Sequence, residues 1–230
     1  HLLGMAMPTS LLEWMVPLVS VLALIELAYS RKPPAEISQL LQRMQGNTEK
    51  TLDLAEQFLQ LARAESSDEY PFSELDLVSV IWNAVEQVWA QAAANSIRLV
   101  HDFEVEDAWI LGEGSLLERA LINLLTNAIK YSPANTTVHV RLEREEDRFI
   151  CCVIDEGYGI PETALPTLFD RFSRVASERH GEVTGAGLGL AFVEAVITRH
   201  GGRVDVQSTP GEGSSFCITL YASLQPAAPP

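Results

Sequence analysis

The stretch Arg119–Pro133, RALINLLTNAIKYSP, decides how the rest of this chain is read. Leu121, Leu124, Leu125 and Ile129 recur at helical spacing, which predicts an amphipathic helix with one buried face. Asn123 and Asn127 stand four apart, so their amides project from one side of that helix. Lys130 follows one turn later, with Tyr131 beside it. An amide pair can hold a hydrated Mg²⁺ without adding charge, a lysine can neutralise a phosphate, and an aromatic ring can cover a flat base. A core helix with two capping asparagines is the competing reading, and the segments downstream decide between them.

The first of these is Asp155-Glu156-Gly157-Tyr158-Gly159-Ile160, directly after the apolar run Phe149–Ile154. A carboxylate at a strand end can accept from an exocyclic amine such as that of adenine. Gly157 and Gly159 let the backbone pass close to a base. A plain Asp-Gly turn is the alternative for this segment alone. The second is Gly185-Ala186-Gly187-Leu188-Gly189-Leu190, which opens a helix. Glycines at a helix N-terminus leave N–H groups free for a phosphate anion. No Gly-Lys-Ser/Thr follows, so this is not a Walker A loop, and no short βαβ unit with a later acidic residue frames it as a dinucleotide fingerprint. Between the two lies Leu168–Val175, LFDRFSRV, and a polar run Ala176–Thr184 whose composition suits a mobile lid over phosphates.

The order NLLTNAIKYS, DEGYGI, LFDRFSRV, GAGLGLAFVEAV, GEGSSF resembles the N, G1, F and G2 boxes of sensor histidine kinases, across about Asp76 to Leu220. The stretch LDLAEQFLQLARAES before Tyr70 is similar to the second dimerisation helix of that family. The resemblance implies ATP and Mg²⁺ as ligands. Asn127 would bind Mg²⁺ with Asn123 assisting, Lys130 would meet phosphate, and Tyr131 would flank adenine. Asp155 would hold the adenine amine, with Gly157, Gly159 and Ile160 shaping the pocket. Phe172, Arg171 and Arg174 would lie near the lid and the γ-phosphate, with Asn123, Lys130 and Arg171 carrying the catalytic roles. Gly185, Gly187, Leu188, Gly189 and Leu190 would wrap the phosphates. Ser215 stands where the family commonly has a threonine near the base. The implied partners are a second copy of the chain and the receiver domain of a response regulator. The implied location is cytoplasmic, with membrane attachment only through a sensor region outside this chain.

Outward from this core, the pattern predicts an α+β chain in two parts. Residues 1–66 read as a helical hairpin, 67–224 as an α/β sandwich ATP-binding domain, and 225–230 as a disordered tail. In the hairpin, helices over 11–30 and 35–66 are separated by Arg31-Lys32-Pro33-Pro34, where two prolines stop one helix and start the next. Ile37, Leu40, Leu41, Met44, Leu52, Ala55, Leu59 and Ala62 make an apolar stripe. One hairpin has too little core to stand alone, so the expectation is a dimeric four-helix bundle. Beyond the joint Ser66–Glu69, strands are expected at 72–77, 98–103, 108–111, 137–143, 148–154, 203–208 and 215–220. Helices are expected at 78–95, with Ile81, Val85, Val88 and Trp89 inward, and at 188–200, closed by Gly201-Gly202.

The net charge of −15 argues against a nucleic-acid partner, which would demand a basic face. The three cysteines have no zinc spacing. Cys151 and Cys152 are adjacent on a predicted strand and Cys217 stands apart, so buried reduced thiols without a disulfide are expected. The apolar run Leu11–Tyr29 approaches membrane-spanning length, but it carries Glu13, Glu26 and Pro17 and reads better as a dimerisation helix.

One position departs from the family pattern. The family phosphorylates a histidine in a His-Glu-x-x-Thr-Pro context on its first helix. Here Leu12-Glu13-Trp14-Met15-Val16-Pro17 keeps the acidic residue and the proline, with leucine at the acceptor position and valine at the polar one. Leucine has no nucleophilic atom. His1 begins the sequence, and His101, His139, His180 and His200 fall in the ATP-binding part. Three readings are open on the sequence: a degenerate kinase that binds ATP and acts as a pseudokinase by shape or phosphorylates a partner's histidine, a kinase with an altered first helix, and a dimeric scaffold with an idle nucleotide site.

Overall fold

The computed structural model describes residues 12–30, 34–65, 72–173 and 187–223. The chain divides into two compact units, His1–Leu59 and Gln60–Pro230.

In the first unit, α1 runs Leu12–Ser30 and α2 runs Ala35–Glu65, its last turn belonging to the second unit. The Tyr29 hydroxyl donates to the Ser38 carbonyl at 3.1 Å, joining the end of α1 to the start of α2. Ile25 is buried. Val19, Leu24 and Leu27 of α1, and Ile37, Leu40, Met44, Leu54 and Phe58 of α2, are exposed large apolar side chains. Among the described residues no helix is long and apolar enough to cross a membrane.

The second unit is built on a five-stranded sheet in the order β2-β4-β5-β7-β6. Its strands are β2 (Arg98–Phe103), β4 (Thr137–Glu145), β5 (Arg148–Asp155), β6 (Arg203–Thr209) and β7 (Gly213–Tyr221). β2 and β4 are parallel, and the other neighbours are antiparallel. A small antiparallel ribbon pairs β1 (Ser73–Asp76) with β3 (Trp109–Gly112). Helices α3 (Leu77–Ala94), α4 (Gly114–Lys130) and α5 (Gly189–Arg199) cover one sheet face. Alternation along β5 shows this directly: Phe149, Cys151, Val153 and Asp155 are buried under the helices, while Ile150, Cys152 and Ile154 lie half-exposed on the other face.

Both long helices of this unit begin on a carboxylate. Asp76 accepts from the N–H groups of Val78 and Ser79, each at 3.1 Å, and also from Ala108 N–H at 2.9 Å. Burial alone raises its pKa, and the bonds from Ala108 and Ser79 overcome this and hold it below the usual value. Glu113 starts α4 in the same way, accepting from Leu116 N–H at 3.0 Å. Its own N–H donates to His200 Nε2 at 3.0 Å, which ties the start of α4 to the end of α5. Leu117, Ala120, Leu121, Leu124, Leu125, Ala128 and Ile129 form the buried stripe of α4. Each full leucine or isoleucine there contributes about 1.5–3 kcal/mol of apolar burial.

Two sequence expectations are corrected here. Trp89 does not point inward: it is 57% exposed, while its neighbour Val88 is buried. Consecutive helical residues differ by about 100°, and α3 turns its Ile81–Ala84–Val85–Val88–Ala92 face to the core. The cysteines are not three reduced thiols either: Cys152 and Cys217 form a disulfide, and Cys151 alone is free and buried. Strands β5 and β7 pair in a register that sets Cys152 opposite Cys217, a long-range fact no local pattern carries. The expected tail 225–230 lies outside the described residues.

Candidate nucleotide site

The side of α4 between core and solvent carries Asn123, Asn127 and Lys130, all half-buried. Tyr131 caps the helix, its N–H donating to the Asn127 carbonyl at 3.0 Å, and Lys130 Nζ lies 5.4 Å from its ring centroid. Asn123 faces the start of α5: a Cβ added to Gly189 would stand 3.4 Å from Asn123 Oδ1. The asparagine helix and the glycine-led helix therefore meet where a phosphate chain would lie between amide oxygen and helix N-terminus.

Asp155 ends β5, only 7% exposed. Its Oδ1 accepts from Gly157 N–H at 2.8 Å and from Ser214 N–H at 3.2 Å. Among the described residues no donor reaches Oδ2, so half of this buried carboxylate is free for a ligand amine. Burial pushes its pKa up to about 6, against the two N–H bonds that lower it. The floor around it admits no side chains. A Cβ on Gly157 would lie 2.4 Å from Asp155 Oδ1 and 2.6 Å from the Tyr131 carbonyl. Gly213, at φ +111°, would bring a Cβ within 1.9 Å of the Asp155 carbonyl. Tyr158 N–H donates to the Tyr131 carbonyl at 3.1 Å, and Ile160 N–H to Ser208 Oγ at 2.7 Å. These bonds lock the DEGYGI turn onto the end of α4 and the β6–β7 hairpin. The Ser132 hydroxyl is buried there and has no hydrogen-bond partner among the described residues.

Phe172 and Gly187 are joined by Phe172 N–H donating to the Gly187 carbonyl at 2.9 Å, so both sides of residues 174–186 meet. Phe172 is exposed and takes φ +64°. Leu188 is buried and Leu190 half-buried. Arg171 is placed elsewhere: its guanidinium pairs with Glu65 at the end of α2, an exposed pair. Arg174 and Gly185 lie outside the described residues. Leu12 is the first residue of α1, and the surroundings of its side chain lie outside those described.

Ser215 is not gathered with the others. Its hydroxyl lies on the open sheet face, 3.6 Å from Cys217 Sγ, while Asp155 is on the helix side. Its neighbour Ser214 pairs with Asp155 across the strands, and its hydroxyl lies 3.0 Å from Ser208 Oγ. Ser214 is the residue that sequence reasoning missed. In two consecutive strand serines only the pairing register says which faces the carboxylate. Among the described residues no group of three His, Cys, Asp or Glu side chains could hold a metal. The amide oxygens of Asn123 and Asn127 are hard, uncharged donors that suit a cation already carrying phosphates and water.

A sheet covered on one face, an asparagine-bearing helix, a buried carboxylate over glycines and a second glycine-led helix define an ATPase domain of the histidine-kinase type. Residues 112–224 match the family of histidine kinase-, DNA gyrase B-, and HSP90-like ATPases, and this part of the chain belongs to it. The chain is 30% identical over 203 residues to the sensor-like histidine kinase SenX3 of Mycolicibacterium smegmatis, covering 88% of this chain and 52% of that protein. Among solved structures, full-length ShkA in complex with AMPPNP superposes with a TM-score of 0.76 at 25% identity, covering 92% of this chain and 44% of ShkA. The mycobacterial sensor histidine kinase MprB superposes with a TM-score of 0.58 at 29% identity, covering 66% of this chain and 97% of the other. The chain spans about half or less of the length of the curated relatives it matches.

Proposed function

We propose that this chain is the kinase core of a two-component sensor, binding Mg-ATP for phosphoryl transfer to a histidine and onward to a response regulator. The half-satisfied, buried Asp155 carboxylate carries the reading. That free oxygen keeps contact with solvent, so a ligand donor can replace water there, and the 6-amino group of adenine has the right polarity. Asn127 and Asn123 would hold a Mg²⁺, which would supply positive charge to the phosphates, and Lys130 would add to that neutralisation. The free N–H groups at the start of α5, beside Gly187 and Gly189, receive the phosphate oxygens. Tyr131 covers the base. Arg171 would have to leave Glu65 to meet the γ-phosphate. The core works in the cytoplasm as a homodimer through α1 and α2.

Leu12 at the aligned acceptor position favours a second element of the reading: the phosphate goes to a histidine on another chain, or the chain regulates a partner through its ATP-bound shape. Radiolabelled ATP tests this. The expected result is no acid-labile label on the chain itself, transfer to an added phosphoacceptor helical hairpin, and label at position 12 after Leu12→His with Val16→Thr. Self-labelling of the unchanged chain would place the acceptor on another histidine. ATP binding with no transfer to any acceptor would leave the regulatory reading in its place.

A further inference from the structure

The open face of the sheet carries a row of five side chains in register across its five strands: Asp102 (β2), Arg141 (β4), Cys152 (β5), Cys217 (β7) and Asp205 (β6). Directly opposed residues of antiparallel strands share a face, so the two sulfurs lie side by side, with Cα atoms 4.1 Å apart. Both cysteines are half-exposed, and small thiols can reach them. Cys151, the third, faces the core, fully enclosed, and burial pushes its thiol up to about 12. It therefore supplies no thiolate to scramble the bond.

The two sulfurs differ in their surroundings. Beside Cys152 stands the exposed Arg141, with no partner among the described residues. Beside Cys217 stands Asp205, held by Arg203 at 2.8 Å. A cation favours the neighbouring sulfur as thiolate, and the lower-pKa sulfur leaves faster in exchange.

We propose that Cys152 and Cys217 are a reversible dithiol–disulfide couple, with small thiols as reductant and small disulfides as oxidant. An external thiolate attacks Cys217 Sγ. The Cys152–Cys217 bond breaks, its electron pair goes to Cys152 Sγ beside Arg141, and a mixed disulfide forms on Cys217. A second external thiolate attacks the external sulfur of that mixed disulfide, releasing Cys217 as a thiolate that takes a proton from water. Two thiols become one small disulfide while the protein disulfide gains two electrons and two protons. The bond joins residues 65 apart, so its loss frees the unfolded chain and lowers the stability of the ATP-binding unit.

The full chain equilibrated in oxidised or reduced glutathione tests this. Thiol titration of the native protein should find none reactive after oxidised glutathione and two after millimolar reduced glutathione. The melting temperature should fall by about 10 °C on reduction. Cys152→Ser with Cys217→Ser should melt at one temperature in both buffers. Acid-quenched peptide mapping should find glutathione on Cys217, and Arg141→Gln should slow reduction severalfold with the melting temperature of the oxidised form unchanged. Two reactive thiols after oxidised glutathione would overturn the couple. So would a bond that resists reduced glutathione while the fold is intact, since the bridge would then be a permanent staple. Glutathione on Cys152, or an unchanged rate in Arg141→Gln, would overturn the assigned direction of attack.

Discussion

Asp155→Asn should move stability and affinity in opposite directions. The side chain is buried, and Oδ1 takes the N–H groups of Gly157 and Ser214, a task that an amide oxygen performs equally. The folded-state pKa of about 6 lies about two pH units above the ordinary 3.8. A raised carboxylate pKa means that the folded state binds the proton more tightly. Stability is therefore full below pH 3.8 and is lost as pH rises through 6. At about 1.4 kcal/mol per pH unit, ionised Asp155 costs the ligand-free fold at most about 3 kcal/mol at pH 7 and above. Asparagine removes that cost, so the variant should melt at the same temperature as the parent or higher at pH 8. ATP binding should suffer. Nitrogen in place of Oδ2 sets a donor against the adenine amine, and losing a charge-assisted bond of about 1.5–3 kcal/mol means roughly 10- to 100-fold weaker binding. Calorimetry and thermal melts at pH 8 and pH 5.5 supply both numbers. In the parent, affinity should fall as pH drops through about 6, where Asp155 takes its proton, and the variant should not show this dependence. Parent-like ATP affinity in Asp155→Asn would refute the adenine assignment, and a lower melting temperature at pH 8 would refute the strain attributed to the buried charge.

The full chain should sediment at twice 25.3 kDa, and Leu40→Glu with Phe58→Glu should return it to the monomer mass, because the exposed apolar side chains of α1 and α2 need a second copy to cover them. His200 titrates in the other sense from Asp155. Burial holds its pKa below the usual 6.5, so the folded state binds the proton less tightly than the unfolded chain, and stability is lost as pH falls below about 6.5. Protonation ends its acceptance of the Glu113 N–H, and urea midpoints between pH 7.5 and 5.5 should show a fall that His200→Gln reduces. Gly213→Ala should cost about 3 kcal/mol or more by urea unfolding, since its Cβ would meet the Asp155 carbonyl at a backbone angle that side chains avoid.

The placement of the candidate residues was legible wherever local chain geometry forces a residue type. Asn123 and Asn127 on one helix side, Asp155 at a strand end, and Gly157 and Gly159 at close approaches all follow from spacing within ten residues. The α+β order and most strands followed from periodicity and turn residues. What escaped depends on partners distant in sequence. Register alone puts Ser214 rather than Ser215 beside Asp155, and the same register closes Cys152 onto Cys217. Trp89 was misplaced because a helical window fixes the buried stripe but not its edges. Arg171 pairs with Glu65, 106 residues away, which no motif encodes. The aspartate cap of α3 and the glutamate cap of α4 were likewise invisible without the turn geometry before each helix.

The two N–H groups that hold Asp155 come from very different distances along the chain: Gly157 is two residues away and Ser214 is 59. The first bond can form as soon as the turn after β5 is made, while the second waits for β7, the last strand, to insert between β5 and β6. Long-range strand pairing of this kind is slow, because chain entropy is lost before the contact is gained. During synthesis the two-bond cradle of Asp155 is therefore incomplete until β7 has left the ribosome. A chain terminated before Ser214 holds the Asp155 carboxylate by one backbone bond instead of two.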